Sequence, residues 1–452
     1  MEEDSYSLSY RSKILQKATI QKQLDALKNY ADEAGELQDY EKAHNPENLY
    51  ALDIIEQFLR KKGRVCYGGT AINAILPKSL QFYDKNKTLP DYDFYTPDLE
   101  GDIHELLDML ESAGFKEVNQ RVGIHDGTKK ILVNFVAVAD ISSLEKSLYE
   151  KVYNRSVVKA GIHYCDANFL RMLMYLEISR PKGQTTRWEK VFERLTLLNK
   201  AFPIKQCYRG NFIGKQYIPS TIREVVLRFI IQHGRILLGA EVAAIYDMAV
   251  GKGRFKNPSI NWFLKRKSFL LFYSPDVKRD ADILEEIIDL GDDLKRVSYP
   301  ALGDISGRRI VLQYKGVPIV GLIEENACHS YNTLNLRKEG KLLIGSLDTL
   351  ITLYLWYEIF TGNEEKRFLG YPILCLCQKL IEMDEQLRKK DSKGRSPFPA
   401  FSLECSGYQK GFPTLLREKV KRIEKEKEKL KALKTRSRSK SLSRRNQTRK
   451  LS

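Results

Sequence analysis

Residues 53–75, DIIEQFLRKKGRVCYGGTAINAI, and residues 224–246, EVVLRFIIQHGRILLGAEVAAIY, run in one register. Each reads as an apolar helix, Gly-Arg, three strand-forming residues, then Gly and a small residue. Further matches follow in the same order. Phe94-Tyr-Thr-Pro-Asp98 returns as Phe272-Tyr-Ser-Pro-Asp276, and each is followed by an acidic amphipathic segment. Lys129-Lys-Ile-Leu-Val returns as Arg308-Arg-Ile-Val-Leu, and the helix end at Tyr175–Ile178 returns at Trp356–Ile359. So many landmarks in one order imply a duplicated α/β unit, at about 50–180 and 222–362. Two units of this size also suit 452 residues, which are enough for two or three domains.

The copies differ where chemistry is expected. In the first, Val65-Cys66-Tyr67 reads as a short strand. It breaks at Gly68-Gly69-Thr70 and runs into the apolar segment Ala71–Leu76. A polar loop then leads to Asp91-Tyr92-Asp93-Phe94-Tyr95. Alternate strand residues share a face, so Asp91 and Asp93 point the same way. Two adjacent carboxylates raise each other's pKa unless a cation lies between them. A Gly-Gly-hydroxyl turn ahead of such a pair suits holding a divalent metal on a nucleotide's phosphates. The alternative is a solvated edge strand or turn capping after Pro90. In the second copy Ala240 and Glu241 replace Gly69 and Thr70, and Phe269 and Leu271 replace Asp91 and Asp93. The second copy therefore lacks the means to bind metal or triphosphate in this way.

The rest of the first unit reads as helix 46–62 closed by Gly63, with Leu49, Leu52, Ile55 and Leu59 on one face. A helix over about 103–113, a weak strand 115–120 and one long strand from Lys130 to Ile141 follow. Asp140 stands at the end of that strand among apolar neighbours, where an acid is costly unless paired or metal-bound; the alternative is a helix N-cap. Asn73 is open between a sugar or base contact and a packing or capping role. Lys159 and Arg171 read as structural rather than phosphate-binding. The N-terminal segment reads as helix from about Ser12, broken near Gly35.

Charge is uneven. Of the net +17, residues 429–452 carry +10, with no Asp or Glu. A polyanionic partner follows, most simply nucleic acid; an import receptor or a virion component are alternatives for the Arg/Ser tail. No apolar run reaches the length of about 18 residues that suggests a membrane span, and MEEDSYSLSY does not resemble a signal peptide. Seven scattered cysteines suit free thiols in a reducing compartment. Cys375 and Cys377 lack a nearby His for zinc.

Gly68-Gly69-Thr70, Asp91-Tyr92-Asp93 and the later strand with Asp140 resemble the nucleotidyltransferase signature of the DNA polymerase β superfamily. The form YGGTAIN…LPDYDFYTPD more specifically resembles poly(A) polymerase catalytic subunits of large nucleocytoplasmic DNA viruses, the giant-virus and asfarvirus branch more than the poxvirus one. The resemblance covers about residues 45–370. It implies an α/β (α+β) chain of two tandem nucleotidyltransferase-like units, the second degenerate. The expected division is a helical N-terminus (1–44), a catalytic unit (45–200), a degenerate unit (201–385), a linker and charged helix (386–434) and a disordered basic tail (435–452).

The resemblance further implies ATP as substrate, two Mg²⁺ or Mn²⁺ ions and an RNA 3′ end as acceptor. Asp91, Asp93 and Asp140 would hold the metals, and Gly68, Gly69, Thr70 and Asn73 the nucleotide. It leaves open a self-dimer or a cap-methylating partner, and implies host cytoplasm or virion rather than secretion. Another base choice, uridylyl or CCA addition, and a non-catalytic RNA-binding module are the competing functions.

Overall fold

The computed structural model describes residues 2–448 except 85, 208–217, 267, 303–305 and 337–338; for 2–16, 18, 430 and 432–448 it describes backbone alone. Strands β1 (Val65–Tyr67), β2 (Tyr92–Thr96), β3 (Val118–Val122), β4 (Thr128–Val133), β5 (Val136–Ser143), β6 (Val157–Lys159) and β7 (Ile162–Tyr164) form one sheet. Its order is β3-β4-β5-β2-β1-β7-β6.

The second sheet takes β8 (Ile236–Leu237), β9 (Leu270–Ser274), β10 (Leu294–Tyr299), β11 (Arg309–Tyr314), β12 (Val317–Glu324), β13 (His329–Leu336), β14 (Gly340–Gly345) and β15 (Cys405–Ser406). Its order is β10-β11-β12-β9-β8-β14-β13-β15. Apart from β15, the two orders correspond strand for strand. The sense of each pairing also agrees: β1 is antiparallel to β2 and parallel to β7, as β8 is to β9 and β14. The parallel pair β2–β5 is matched by β9–β12.

One interaction recurs in both units. Arg64 donates from Nε and Nη2 to the buried Asp102 at 2.5 and 2.9 Å, and Asp102 also accepts the Thr96 hydroxyl at 2.5 Å. Arg235 does the same to Asp280 at 2.7 and 2.9 Å, and Asp280 accepts the Ser274 hydroxyl at 2.6 Å. Asp98 and Asp276 cap the helices that carry these acids. The repeated Gly-Arg and the Tyr-Thr/Ser-Pro-Asp landmarks are thus the two sides of a buried bidentate pin.

The helix Pro46–Lys62 starts where the Asn45 side chain accepts the N–H groups of Glu47 and Asn48, and Gly63 closes it at φ +62°. Its buried face is Ala51, Leu52, Ile54, Ile55, Phe58 and Leu59, and Leu49 is exposed. The two units share one apolar core: helix Ala167–Ile178 packs on helix Leu347–Phe360, with the rings of Phe169 and Phe360 6.0 Å apart. Arg388 joins the same junction, bonded to Asp348 at 2.8 Å and Asp384 at 3.0 Å, while Tyr175 donates to Asp384 at 3.3 Å.

Several expectations are corrected. The single strand 130–141 is a hairpin, β4 and β5, turning at Asn134 (φ +48°) and Phe135 (φ +66°). Two successive positive φ values match the twist of a tight hairpin, and Asn tolerates them better than most residues. Glu2–His44 is one unbroken helix: Gly35 weakens a helix interior but does not by itself end it.

Two pairs of cysteines are disulfides, Cys207–Cys375 and Cys328–Cys405; Cys66, Cys165 and Cys377 are free and buried. The bonded partners are far apart in sequence, so spacing carried no sign of them. Part of the expected linker forms β15, paired with β13. The backbone of the charged helix has bounds Phe412–Thr448. Residues 449–452 lie outside the described residues.

Replacing Arg235 by Met would leave Asp280 buried without its counter-charge. The expected cost is about 3–5 kcal/mol, against about 0.5–1.5 kcal/mol for Ser274→Ala, read as urea midpoints at constant slope. Equal shifts would refute the pin as the dominant contact.

Candidate active site

The helix Gly68–Ile75 begins directly where β1 ends. Gly68 has φ +72°, and a Cβ there would stand 2.2 Å from Asp93 Oδ2. Glycine is therefore needed both for the backbone and to let a carboxylate approach. A Cβ on Gly69 would meet the Tyr83 hydroxyl at 2.7 Å and Arg194 Nη1 at 2.8 Å. Tyr67, at the N-cap, makes no side-chain capping bond. The uncapped amides at a helix start, with the positive end of its dipole, suit an anion.

Two residues expected at the nucleotide, Thr70 and Asn73, also make structural ties. Thr70 Oγ1 donates to the Asp91 carbonyl at 2.6 Å, so its hydroxyl fixes the acid-bearing strand to the helix. Asn73 Oδ1 accepts the N–H groups of Phe82 and Tyr83 at 2.8 and 3.0 Å and holds that loop beside Gly69. Lys159 donates to the Ala74 and Ile75 carbonyls at the end of the same helix. Arg171 is buried, bonded to Asn199, Asn168 and the Phe202 carbonyl.

The acids come from neighbouring strands. Asp91 immediately precedes β2, Asp93 lies within it, and Asp93 is the register partner of Asp140 on parallel β5. Burial, then the charges of Asp91 and Asp140, push the Asp93 carboxyl up to about 7, against the opposing effects of Lys130 and Arg187. Asp140 is held by Lys130 at 2.6 Å, and Lys130 is its register partner on β4. Among the described residues no three His, Cys, Asp or Glu side chains form a ready metal cluster. The carboxylates nonetheless fit divalent ions. They are hard oxygen donors, and the crowding that raises Asp93 is what a cation would relieve. Lys130 contacts one oxygen of Asp140, Oδ1.

Facing the acids is a feature the sequence reading missed. Arg187, Lys190 and Arg194 lie at the start of and along helix Trp188–Ala201, at a spacing that shares a helical face. That spacing was the available signal. Burial, then Arg194 and Arg187, push the Lys190 ammonium down, while Asp91 opposes them. Arg187 lies 3.3 Å from Glu177. Arg194 donates to the Tyr83 hydroxyl at 2.6 Å and lies 4.9 Å from the Phe82 ring centre.

The second copy shows the same place filled. Leu271, the counterpart of Asp93, pairs with Gly321 as Asp93 pairs with Asp140. A Cβ on Gly321 would lie 2.6 Å from the Phe269 ring and 2.9 Å from Leu271. The counterparts of all three acids thus meet as an apolar plug. Glu241, the counterpart of Thr70, is buried and bonded to Arg223 and to the Ser268 hydroxyl. The corresponding helix, Ala240–Val250, has no side-chain cap either, but it carries this internal anion in its first turn.

Residues 53–184 match the family model described as poly(A) polymerase catalytic subunit, a span that includes every proposed site residue through Asp140. The resemblance read from the sequence therefore holds. A protein of Acanthamoeba polyphaga mimivirus named for that subunit is 26% identical over 299 residues, 60% of this chain and 50% of its own length. A counterpart in African swine fever virus (isolate Pig/Kenya/KEN-50/1950) is 28% identical over 165 residues, 34% of this chain and 33% of its own. The chain thus spans half or less of these curated relatives' length. The crystal structure of the Megavirus polyadenylate synthase matches with TM-score 0.71 at 20% identity, covering 90% of this chain and 83% of that one, which shows the fold.

A carboxyl held near 7 in the folded chain and near its usual value of about 3.9 unfolded binds an extra proton in the native state between those pH values. Its contribution to stability therefore falls as pH rises from about 4 to about 7 and is flat above. Asp93→Asn should remove that fall and raise the metal-free melting temperature at pH 8 by on the order of 5 °C. MgCl₂ should stabilise the parent chain and not the variant. A variant that melts lower than the parent without metal would refute the crowding.

Proposed function

We propose that the chain transfers AMP from ATP to the 3′ end of RNA, releasing pyrophosphate. The observation that carries this is the sorting of charge: crowded acids at Asp91, Asp93 and Asp140 oppose a crowded basic face at Arg187 and Lys190. A metal–triphosphate complex carries both signs and relieves both crowds at once. The family match over residues 53–184 supports RNA and ATP as the substrates.

In this reading the amides of Gly68, Gly69 and Thr70 receive the outer phosphates, aided by Arg187 and Lys190. Asp91 and Asp93 hold divalent ions, Mg²⁺ or Mn²⁺. Asp140 orients the primer 3′-hydroxyl and takes its proton. The ions, when bound, lower the pKa of that hydroxyl and offset the charge on the leaving pyrophosphate. The 3′-oxygen bonds to the α-phosphorus as the bond to the β-phosphate oxygen breaks. Tyr83, Phe82 and Arg194 flank Gly69 and bound the nucleotide on one side.

Labelled oligo-RNA incubated with each nucleoside triphosphate in turn tests this. Extension is expected with ATP alone. Extension with UTP or CTP would favour another base choice, and binding without extension in either metal would leave an RNA-binding module. Asp93→Ala should lower extension at least 10³-fold, as expected for loss of a metal-holding group (on the order of 4 kcal/mol), while RNA binding persists.

A further inference from the structure

The C-terminal helix divides by charge at a definite place. Residues 417–428 mix Lys, Arg and Glu, and this part is anchored. Arg422 Nη2 donates to the Ile124 carbonyl at 2.9 Å and to the Gly123 carbonyl at 3.3 Å, in the turn between β3 and β4. Its Nε lies 3.7 Å from Asp126 of the same turn. Glu426 accepts from Lys129 on β4. From Lys429 onward the acids stop. The helical stretch 429–448 has eight Lys or Arg and no Asp or Glu.

A helix bearing only cations repels itself. Lys431/Lys434, Lys434/Arg438, Arg436/Lys440 and Lys440/Arg444 are three or four residues apart, where like charges destabilise a helix. A polyanion along the helix would neutralise the repulsion. The anchor indicates which one. It holds Lys129 on β4, the strand that also carries Lys130, the partner of Asp140, although the two lysines project from opposite faces of the sheet. The site and the anchor are also joined electrostatically. Arg187 acts on Asp93, while loss of solvent and then Arg187 and Arg422 hold the His125 imidazole below its usual range. Twenty residues of helix extend about 30 Å from this edge, long enough to follow several nucleotides.

We propose that residues 429–448 are a rail for single-stranded RNA, which leads the acceptor strand to the catalytic edge. The identity of the strand as acceptor rests on the function proposed above; the rail itself is a binding element. It acts on RNA affinity and salt dependence, not on the handling of ATP.

The test is the full-length chain carrying Arg436→Gln, Arg438→Gln, Arg444→Gln and Arg445→Gln, which keeps helix propensity and removes charge. Anisotropy of labelled oligo(A) over a KCl series should show at least tenfold weaker binding at 100 mM. The slope of log K against log[KCl] should shrink by about 0.7 for each phosphate that the variant no longer neutralises. In primer extension the KM for RNA should rise, with kcat and the KM for ATP unchanged. Unchanged affinity and slope would overturn the rail. So would lost sedimentation with phosphatidylserine vesicles while RNA binding stays intact, because the helix would then serve a membrane surface. If neither chain adds AMP, the proposed enzyme activity fails, yet the anisotropy series still decides on the rail.

Discussion

A guanidinium clamped on a buried carboxylate sets the geometry on which each unit depends. In the first unit Arg64 precedes β1, and its partner Asp102 also accepts from Thr96 at the end of β2. The ladder between those strands is short: Val65 opposite Tyr95, Cys66 opposite Phe94, Tyr67 opposite Asp93. The pin fixes one end of that ladder, and Gly68 and Asp93 meet at the other. A register slip by one residue would send Asp93 to the opposite face. The pin recurs where no catalysis is proposed, at Arg235, Asp280 and Ser274, so its role is structural in both.

The second unit shows how such a site would look if stability alone were served. Phe269 and Leu271 pack against Gly321, and Arg223 bonds to one oxygen of the buried Glu241. The first unit keeps an acid, Asp93, that burial and then the charges of Asp91 and Asp140 push up. Unfavourable local interactions held by a common scaffold suit a place where a ligand completes the structure.

The repeat, the Gly-Gly-Thr turn, the paired acids and the pivotal position of Asp140 were legible because each is a short-range pattern or a comparison of aligned copies. Helix ends with Asn45 and Gly63 were legible from capping chemistry. What escaped the sequence was set by tertiary contacts. The turn at Asn134-Phe135 lay inside an apolar run whose alternation continued across it. Residue type at Thr70 and Asn73 did not show that their oxygens also bond to backbone groups at Asp91, Phe82 and Tyr83. The basic face at Arg187, Lys190 and Arg194 was visible only as a spacing until the fold set it near Asp91 and Asp93. The disulfides joined cysteines on distant segments, and no local pattern pairs Cys207 with Cys375.

The arrangement of buried charge separates the candidate site from the other charged clusters described. Arg388 lies between Asp348 and Asp384, Arg309 bonds to Glu365 at 2.5 Å, and Arg223 bonds to Glu241. In each, opposite charges meet directly, because a buried ion without a partner is costly. At the site Asp91, Asp93 and Asp140 gather on and beside β2 and β5 and bases gather along the helix that starts at Trp188, with ion pairs at the margins, Lys130 to Asp140 and Arg187 to Glu177. Among the described residues Lys130 is the cation that bonds directly to the acids, through Asp140. A structural network would gain by interleaving the two signs. Keeping the groups apart has a physical rationale only if something carrying both signs is to enter between them. A metal-bound triphosphate has that property, and a free anion or a free cation alone does not.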